Sequence, residues 1–345
     1  MSGEPPEPRA PLSLAGPPKA LPFDPTPPVL CAATNRRFLV AGRDEAKKTV
    51  ILATLDPDGS AAGDHPLPLE FVADMARCGD RITLLGGRGG EVRALHLDGQ
   101  GRVVDDETLP IGPDLLLAPQ IACGFGAEHI VWVDGRQRLS VLSSERLSTF
   151  ALDGLSVELA VAATPAGLTL LRTVGVPGHL EALRVENGRI RGTSPVPDSD
   201  QAYSPVLSWH EDGLDILWIS RSERAIRWQR LGPDLVPLAP AKTLLSAEPP
   251  SGIRWLRCLS CTEREIVVAW QEEQPGDGLD RRGRPTAALT PKLALVDRRH
   301  GTLHGVTPIH HAAESYLTGC RSGDTLLVVL GGAQAVDLRY RIETG

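Results

Sequence analysis

The amino-acid sequence predicts an all-β fold in which one four-stranded unit occurs seven times. Three features support this prediction: short apolar runs recur at similar intervals, hairpin turns follow many of them, and proline-bearing segments separate the units. Helical periodicity is nearly absent, because the apolar segment PDLLLAPQI at 113–121 is too short to predict a helix. We therefore expect a sheet protein in which helices do not form a layer.

The repeat is visible in seven apolar runs that each follow a polar turn, as in AATNRRFLVAGRD and GFGAEHIVWVDGR. The first strongly apolar residues of these runs are Phe38, Ile82, Ile130, Leu168, Ile216, Ile266 and Leu326. Their spacings are 44, 48, 38, 48, 50 and 60 residues. These spacings fit the ~40–50-residue period of a four-stranded propeller blade, with one stretched repeat.

The remaining strands of each unit carry their own signals. Third strands such as VILATLDPDG and LEALRVENG end in Asp-Gly or Asn-Gly, which are typical of hairpin turns. Fourth strands such as HPLPLE and ETLPIG contain proline, which sheets tolerate at their edges. The sequence thus predicts a seven-bladed β-propeller whose blades contain an inner, a second, a third and an outer strand.

The two ends of the chain are predicted to meet in the last blade. The seventh unit stops at AVDLRYRIETG, after its third strand, while PKALPFDP at 18–25 resembles the outer strands of the other units. An N-terminal strand would complete the blade and remove the free edges of an open array. We expect residues 1–17 to be a Pro-rich mobile tail and residues 18–345 to form one propeller domain with a loop insertion at 271–291.

Composition limits the classes of partner. The net charge is −7 and no basic block exists, so we do not expect the chain to bind nucleic acid. No apolar run approaches the ~18 residues of a membrane span, and the N-terminus lacks the apolar core of a secretory signal. Six scattered cysteines are typical of reduced, buried thiols, so we expect a cytoplasmic protein. We also expect the protein to be monomeric on its own.

The rhythm of ILWISR, HIVWVDGR and LDPDG resembles the divergent repeats of bacterial propeller proteins. In those repeats a Trp-bearing or aliphatic strand precedes a polar loop with Arg, and a strong preference for Arg over Lys is typical of GC-rich bacterial genomes. Only blades three, five and six have a Trp in the second strand: Trp132, Trp218 and Trp270. The sequence does not match the WD40, Kelch or Asp-box patterns. The resemblance implies an architecture without specifying a function.

Antiparallel strands alternate in direction, so the second-to-third loops and the outer-to-inner loops share one face, here called the top face. By analogy with other propellers, ligands bind there. An arginine set is predicted near this face: Arg43, Arg88, Arg136, Arg172 and Arg221. Guanidinium groups can bind carboxylate or phosphate through paired hydrogen bonds, although pairing with neighbouring acids such as Asp44 or Asp134 would explain them equally well.

The insertion QEEQPGDGLDRRGRPTAALTP at 271–291 is the strongest candidate site in the sequence. Its Gly, Pro and charged residues predict a mobile loop on the top face, and long loops on rigid scaffolds often bind partners. A neutral variation in length is the alternative. The predicted partner-binding residues are Asp280, Arg281, Arg282, Arg284, Arg43, Arg136, Arg221 and Trp255.

Catalytic and metal-binding patterns are weak. A histidine cluster spans His300, His304, His310, His311 and Glu314, but at ~3.3 Å per residue its two ends lie far apart. Cys258 and Cys261 lie three residues apart in a strand, which directs them to opposite faces. We therefore expect no metal and no cofactor, and we assign no catalytic residue.

Polar and aromatic residues at the starts of inner strands could line the channel mouth: Gln120, Glu158, Tyr203, Arg254, Trp255, Glu314 and Tyr316. We expect a non-enzymatic protein-interaction or regulatory module that binds a partner protein. The alternative is a hydrolase or lyase that acts on an anionic or sugar-like molecule, with Glu158 or Glu314 as acid–base group. A carbohydrate-binding propeller is a third hypothesis, although only 14 aromatic residues are available for stacking.

Overall fold

The computed structural model describes residues 12–144, 146–211, 213–279, 285–309, 316–331 and 336–342. These residues form seven antiparallel sheets in a ring, and in each sheet the chain runs outward from the central axis. The predicted seven-bladed β-propeller is therefore confirmed. In the described part of the chain, no helix has the length and apolar character needed to cross a bilayer.

The blades are numbered one to seven along the chain. The inner strands are β3 (Pro25–Ala33), β7 (Phe71–Cys78), β11 (Leu115–Gly124), β15 (Ser156–Thr164), β19 (Ala202–His210), β23 (Gly252–Cys261) and β27 (Tyr316–Ser322). The second strands are β4 (Phe38–Asp44), β8 (Arg81–Arg88), β12 (Ala127–Asp134), β16 (Gly167–Val174), β20 (Gly213–Ser220), β24 (Glu265–Leu279) and β28 (Thr325–Gly331).

The third strands are β5 (Thr49–Leu55), β9 (Glu91–Leu97), β13 (Arg138–Ser143), β17 (His179–Glu186), β21 (Ala225–Leu231), β25 (Pro285–Asp297) and β29 (Val336–Arg341). The outer strands are β6 (Ala61–Leu67), β10 (Val103–Thr108), β14 (Arg146–Ala151), β18 (Arg189–Pro195), β22 (Lys242–Ser246) and β26 (Thr302–Pro308), with β1 (Ser13–Leu14) and β2 (Lys19–Ala20) in blade seven.

The second strands lie in the middle of the packed ring. In blade five, every described side chain of β20 is buried, because its two faces pack against different neighbours. Ile216 and Trp218 pack toward blade four, whereas Leu217 and Ile219 pack toward blade six. Burial on both faces requires apolar residues at consecutive positions, which explains the continuous apolar runs in the sequence. The outer strand β10, by contrast, is exposed along its whole length.

The N-terminal segment completes blade seven, as predicted. Ser13 pairs with Arg341 and Lys19 pairs with Asp337, so β1 and β2 both lie along β29. The pairing begins before the predicted boundary at residue 18, and Leu12 is buried in the core of blades six and seven. Residues 12–17 therefore belong to the propeller and not to the tail expected over 1–17.

The insertion in blade six differs from the mobile loop expected over 271–291. Strands β24 and β25 continue past the rest of their blade as a hairpin, in which Gln274 pairs with Ala288 and Leu279 pairs with Pro285. The described residues 271–279 and 285–291 are here called the blade-six hairpin. The pairing of two extended arms satisfies their backbone groups, so Gly and Pro in the arms did not make this segment a loop.

Cysteine usage also differs from the expectation of six reduced thiols. A disulfide joins Cys78 of β7 to Cys123 of β11, with Cα atoms 5.1 Å apart. The two residues lie 45 positions apart in the sequence, and the ring brings the ends of neighbouring inner strands together. Sequence spacing alone could not reveal this pair. The other four cysteines are free.

Candidate functional site

The inner strands surround a central channel of about 1400 Å³. Small apolar side chains form much of its wall, among them Ala73, Ala122 and Ala162. At the bottom of the channel, Phe125 of blade three meets Trp209 of blade five edge-on, with ring centroids 6.3 Å apart.

A register irregularity interrupts the pairing of six inner strands with their second strands, close to the top face. Polar side chains beside these irregularities bind the next blade. The Asp74 carboxylate accepts a hydrogen bond from the Ile121 backbone N–H at 2.7 Å. The Gln120 amide donates to the Leu159 carbonyl at 2.8 Å. These bonds connect blade two to three and blade three to four.

The same arrangement continues around the ring. The Glu158 carboxylate accepts hydrogen bonds from the Ser204 backbone N–H at 2.7 Å and from the Thr173 hydroxyl at 3.3 Å. The Tyr203 hydroxyl donates to the Ile253 carbonyl. Gln120, Glu158 and Tyr203 therefore connect successive blades.

Burial changes the pKa values of two acids in this set, Asp74 and Glu158. It raises the pKa of Asp74 to about 6, against two backbone donors that lower it. Burial likewise raises the pKa of Glu158, although its hydrogen bonds to Ser204 and Thr173 and the nearby cations Arg257 and Arg221 oppose the change. Because two donors already engage the Glu158 carboxylate, its position is explained by contacts between blades.

The top of blades five and six holds two interacting pairs, Tyr203 with Arg221 and Arg254 with Glu273, and Trp255, which follows Arg254 in β23. These five residues are here called the hairpin-base surface. The Arg221 guanidinium lies over the Tyr203 ring, 5.1 Å from its centroid. Arg254 binds both oxygens of Glu273 in the hairpin arm, at 2.5 and 2.7 Å. This two-bond ion pair fixes the root of the blade-six hairpin against β23.

Trp255 is the most unusual residue of this surface. Its backbone adopts the left-handed region, with φ of 52°, inside the irregularity between Arg254 and Arg257. The residue is 42% exposed. A bulky residue in this conformation costs of order 1–3 kcal/mol, and such strain is concentrated at functional sites.

The structure brings together some of the predicted site residues and separates others. Arg221 and Trp255 share the hairpin-base surface, whereas Arg43 lies on blade one and Arg136 lies on blade three. The exposed Arg136 donates its backbone N–H to Asp134. The predicted residues Asp280, Arg281, Arg282 and Arg284 lie outside the described residues.

The structure shows the hydrogen-bond partners of two further candidates, Arg172 and His304. Arg172 is buried in β16, where it binds Glu181, Ser156 and the Asp153 carbonyl. His304 binds the Thr302 hydroxyl at 2.9 Å. The candidates His310, His311 and Glu314, and the side chain of Tyr316, lie outside the described part of the structure.

Within the described residues, one group of three potential metal ligands, Cys78, Cys123 and Glu128, has its ligand atoms within 4.8 Å of one another. The two sulfur atoms of this group are bonded to each other, so they do not form a ready metal site.

A buried ionic cluster near the bottom face was not predicted. Arg298, after β25, binds Asp215 of blade five at 2.7 Å and also donates to the carbonyls of Trp209 and Thr262. The side chains of Arg298 and Asp215 are 2% and 0% exposed. Burial raises the pKa of Asp215 although the adjacent guanidinium opposes this change. The cluster joins blades five and six.

The ring of seven antiparallel sheets around a central channel defines the class of this protein as a seven-bladed β-propeller. No family model matches the sequence, and no curated protein matches it. Solved structures share the fold. BBS1N, in complex with ARL6DN, aligns over 97% of this chain and 98% of its own at 13% identity and a TM-score of 0.59.

Two WD40 structures are similar over the whole ring. The WD40 β-propeller domain of Doa1 is 13% identical with a TM-score of 0.57, over 95% of this chain and 96% of its own. The WD40 domain of SCAP from fission yeast is 9% identical with a TM-score of 0.51, over 96% and 98% of the two chains. These likenesses show the shared fold.

Proposed function

We propose that this protein is a non-enzymatic interaction or regulatory module that binds a partner protein through the hairpin-base surface and the blade-six hairpin. The observation that carries the proposal is Trp255, a large aromatic residue held in a strained backbone conformation and exposed at the root of a projecting hairpin. Trp and Arg are enriched among the residues that dominate binding energy in protein interfaces.

The geometry supports binding by a surface that is already ordered. The Arg254–Glu273 pair fixes the hairpin root, and stacking on Tyr203 positions Arg221. A partner would therefore meet side chains whose freedom is already restricted, which lowers the entropy cost of association. Asp280, Arg281, Arg282 and Arg284, together with Arg43 and Arg136, remain proposed contacts in a wider interface on the top face.

The similar BBS1N propeller was solved in complex with ARL6DN, so a propeller of this architecture can bind a protein partner. This similarity supports the proposal by analogy only, because one fold serves many functions. The net charge of −7 favours a protein partner over nucleic acid. The cytoplasmic location stays a prediction, and the Cys78–Cys123 disulfide, typical of oxidising compartments, weighs against it.

The first experiment is a cross-linked pull-down from lysate of the source cells, followed by affinity measurements with the recovered partner. Trp255→Asn removes the indole while keeping a residue that tolerates left-handed backbone. Phe125→Asn is the matched control, because Phe125 is 59% exposed, has φ of 53° and lies on the opposite face. We expect Trp255→Asn to weaken binding by about 30-fold, as loss of a ~2 kcal/mol hot spot would.

A third variant replaces residues 275–289 by an Asn-Gly turn. We expect this shortened hairpin to lose binding while its thermal unfolding midpoint stays near that of the parent chain. If all recovered partners bind the Trp255→Asn and shortened-hairpin variants as tightly as the parent, the interface is elsewhere and the proposal fails.

A further inference from the structure

All six cysteines of the chain lie on inner strands, and five of them line the channel: Cys31, Cys123, Cys258, Cys261 and Cys320. Each inner strand packs against the inner strands of the next blades in the ring, so cysteines of different blades can meet at a blade junction. The Cys78–Cys123 disulfide is one such pair, between blades two and three.

A second pair occurs where the ring closes. Cys31 of blade one and Cys320 of blade seven lie on adjacent inner strands and share one apolar cluster. Burial, together with the neighbouring Cys31, raises the pKa of the Cys320 thiol. The Cys31 sulfur also lies 3.8 Å from the hydroxyl of Thr318, on the same strand as Cys320. Both cysteines are mostly buried, at 9% and 7% exposure, but both border the channel. A reagent would approach them from the channel.

Unlike the other cysteines, this pair lies where the first blade of the ring meets the last. Blade seven is completed by β1 and β2, each of which pairs with β29 through two residues. In blade three, by contrast, the outer strand pairs through six residues. The strand pairing that closes the ring is thus short, and a covalent bond between Cys31 and Cys320 would connect the first blade directly to the last.

We propose that Cys31 and Cys320 form a regulatory disulfide that closes the ring covalently, by exchange with a low-molecular-weight disulfide such as oxidised glutathione. One cysteine thiolate attacks the reagent, forming a mixed disulfide and releasing one reduced thiol. The second cysteine thiolate then attacks the protein sulfur of the mixed disulfide and releases the other reduced thiol. The protein loses two electrons and two protons, and the reagent disulfide is reduced to two thiols.

The test uses the full chain in glutathione buffers of increasing oxidised fraction, with free thiols alkylated and disulfides identified by peptide mass spectrometry. We expect a Cys31–Cys320 cross-link in the parent chain and in Cys78→Ser/Cys123→Ser. The thermal unfolding midpoint of Cys78→Ser/Cys123→Ser should rise by about 5 °C or more on oxidation, because a very long loop is closed. The same treatment should leave the midpoint of Cys31→Ala/Cys320→Ala nearly unchanged.

Each result decides the proposal. Persistent alkylation of Cys31 and Cys320 in strongly oxidising buffer would overturn it, as would stable glutathione adducts without the cross-link. Cross-linking of either residue to Cys258 or Cys261 would also contradict it. If Cys31→Ala/Cys320→Ala fails to fold, Cys31→Ser alone provides the test, since it should abolish both the cross-link and the midpoint shift.

Discussion

Among the residues that the structure describes, Arg298 makes the most side-chain hydrogen bonds to a neighbouring blade. Its guanidinium binds Asp215 and the carbonyls of Trp209 and Thr262, and it also lies 2.8 Å from the Cys261 sulfur. Such a group is costly to bury unless its donors find partners. Here the ring supplies those partners from two blades, so the position of Arg298 depends on correct assembly of the junction.

Removal of one member of this pair should therefore strongly destabilise the fold. We expect Arg298→Met to lower the free energy of unfolding by about 3–5 kcal/mol, because it removes the cation that is hydrogen-bonded to the buried Asp215 carboxylate, while Arg230 stays 4.0 Å away. Urea unfolding measures the change. Arg138→Met is the control, since Arg138 pairs with Asp134 but is 50% exposed, and it should cost no more than about 1 kcal/mol.

A double variant, Arg298→Met with Asp215→Asn, should recover part of the loss because it removes both buried charges. Equal stability of Arg298→Met and the parent chain would show that the contacts of this guanidinium contribute little. The sequence could not reveal this pair, because Arg298 and Asp215 lie 83 residues apart and only the ring brings them together.

At the scale of strands, the sequence predicted the features that depend on local hydrophobic pattern alone. The second strands are apolar at consecutive positions because both of their faces are buried, so Ile216 and Leu217 marked blade five correctly. The blade-six hairpin was mistaken for a loop, since Pro275, which suggested a break, lies beyond Glu273, where the arm no longer pairs with β23 and pairs with the other arm. Four residues of the hairpin-base surface were named from the sequence: Tyr203, Arg221, Arg254 and Trp255. Which of them meet depends on how the chain packs, as in the Arg221–Tyr203 contact, and their role in binding stays a prediction.

The inner strands show how a repeat can hold its neighbours together. Glu158 provides a direct test, because its carboxylate accepts the Ser204 backbone N–H of the next blade. We expect Glu158→Ala to lower the free energy of unfolding by about 1–3 kcal/mol, since it leaves a backbone donor without its partner. Glu158→Gln keeps an acceptor oxygen and should stay within about 0.5 kcal/mol of the parent in urea unfolding. A comparable loss in both variants would contradict a role through this hydrogen bond.

Across the whole molecule, closure of the ring determines whether the last sheet has a free edge. Without β1 and β2, strand β29 would present unpaired backbone groups, and the apolar cluster that includes Leu338 and Tyr340 would lose Leu12. Free strand edges pair readily with other chains. The N-terminal segment therefore contributes to stability and also limits self-association.

Two truncations test this role of the N-terminal segment. Removal of residues 1–20 eliminates Leu12, β1 and β2, and should lower the free energy of unfolding by about 3 kcal/mol or more through lost burial and hydrogen bonding. It should also produce oligomers in analytical ultracentrifugation, because the exposed edge of β29 can pair with a second copy. Removal of residues 1–11 keeps Leu12 and both strands, so this control should keep the oligomeric state and the unfolding midpoint of the parent chain. A monomeric, fully stable 21–345 chain would show that three strands suffice for blade seven and that the ring does not depend on its N-terminal strands.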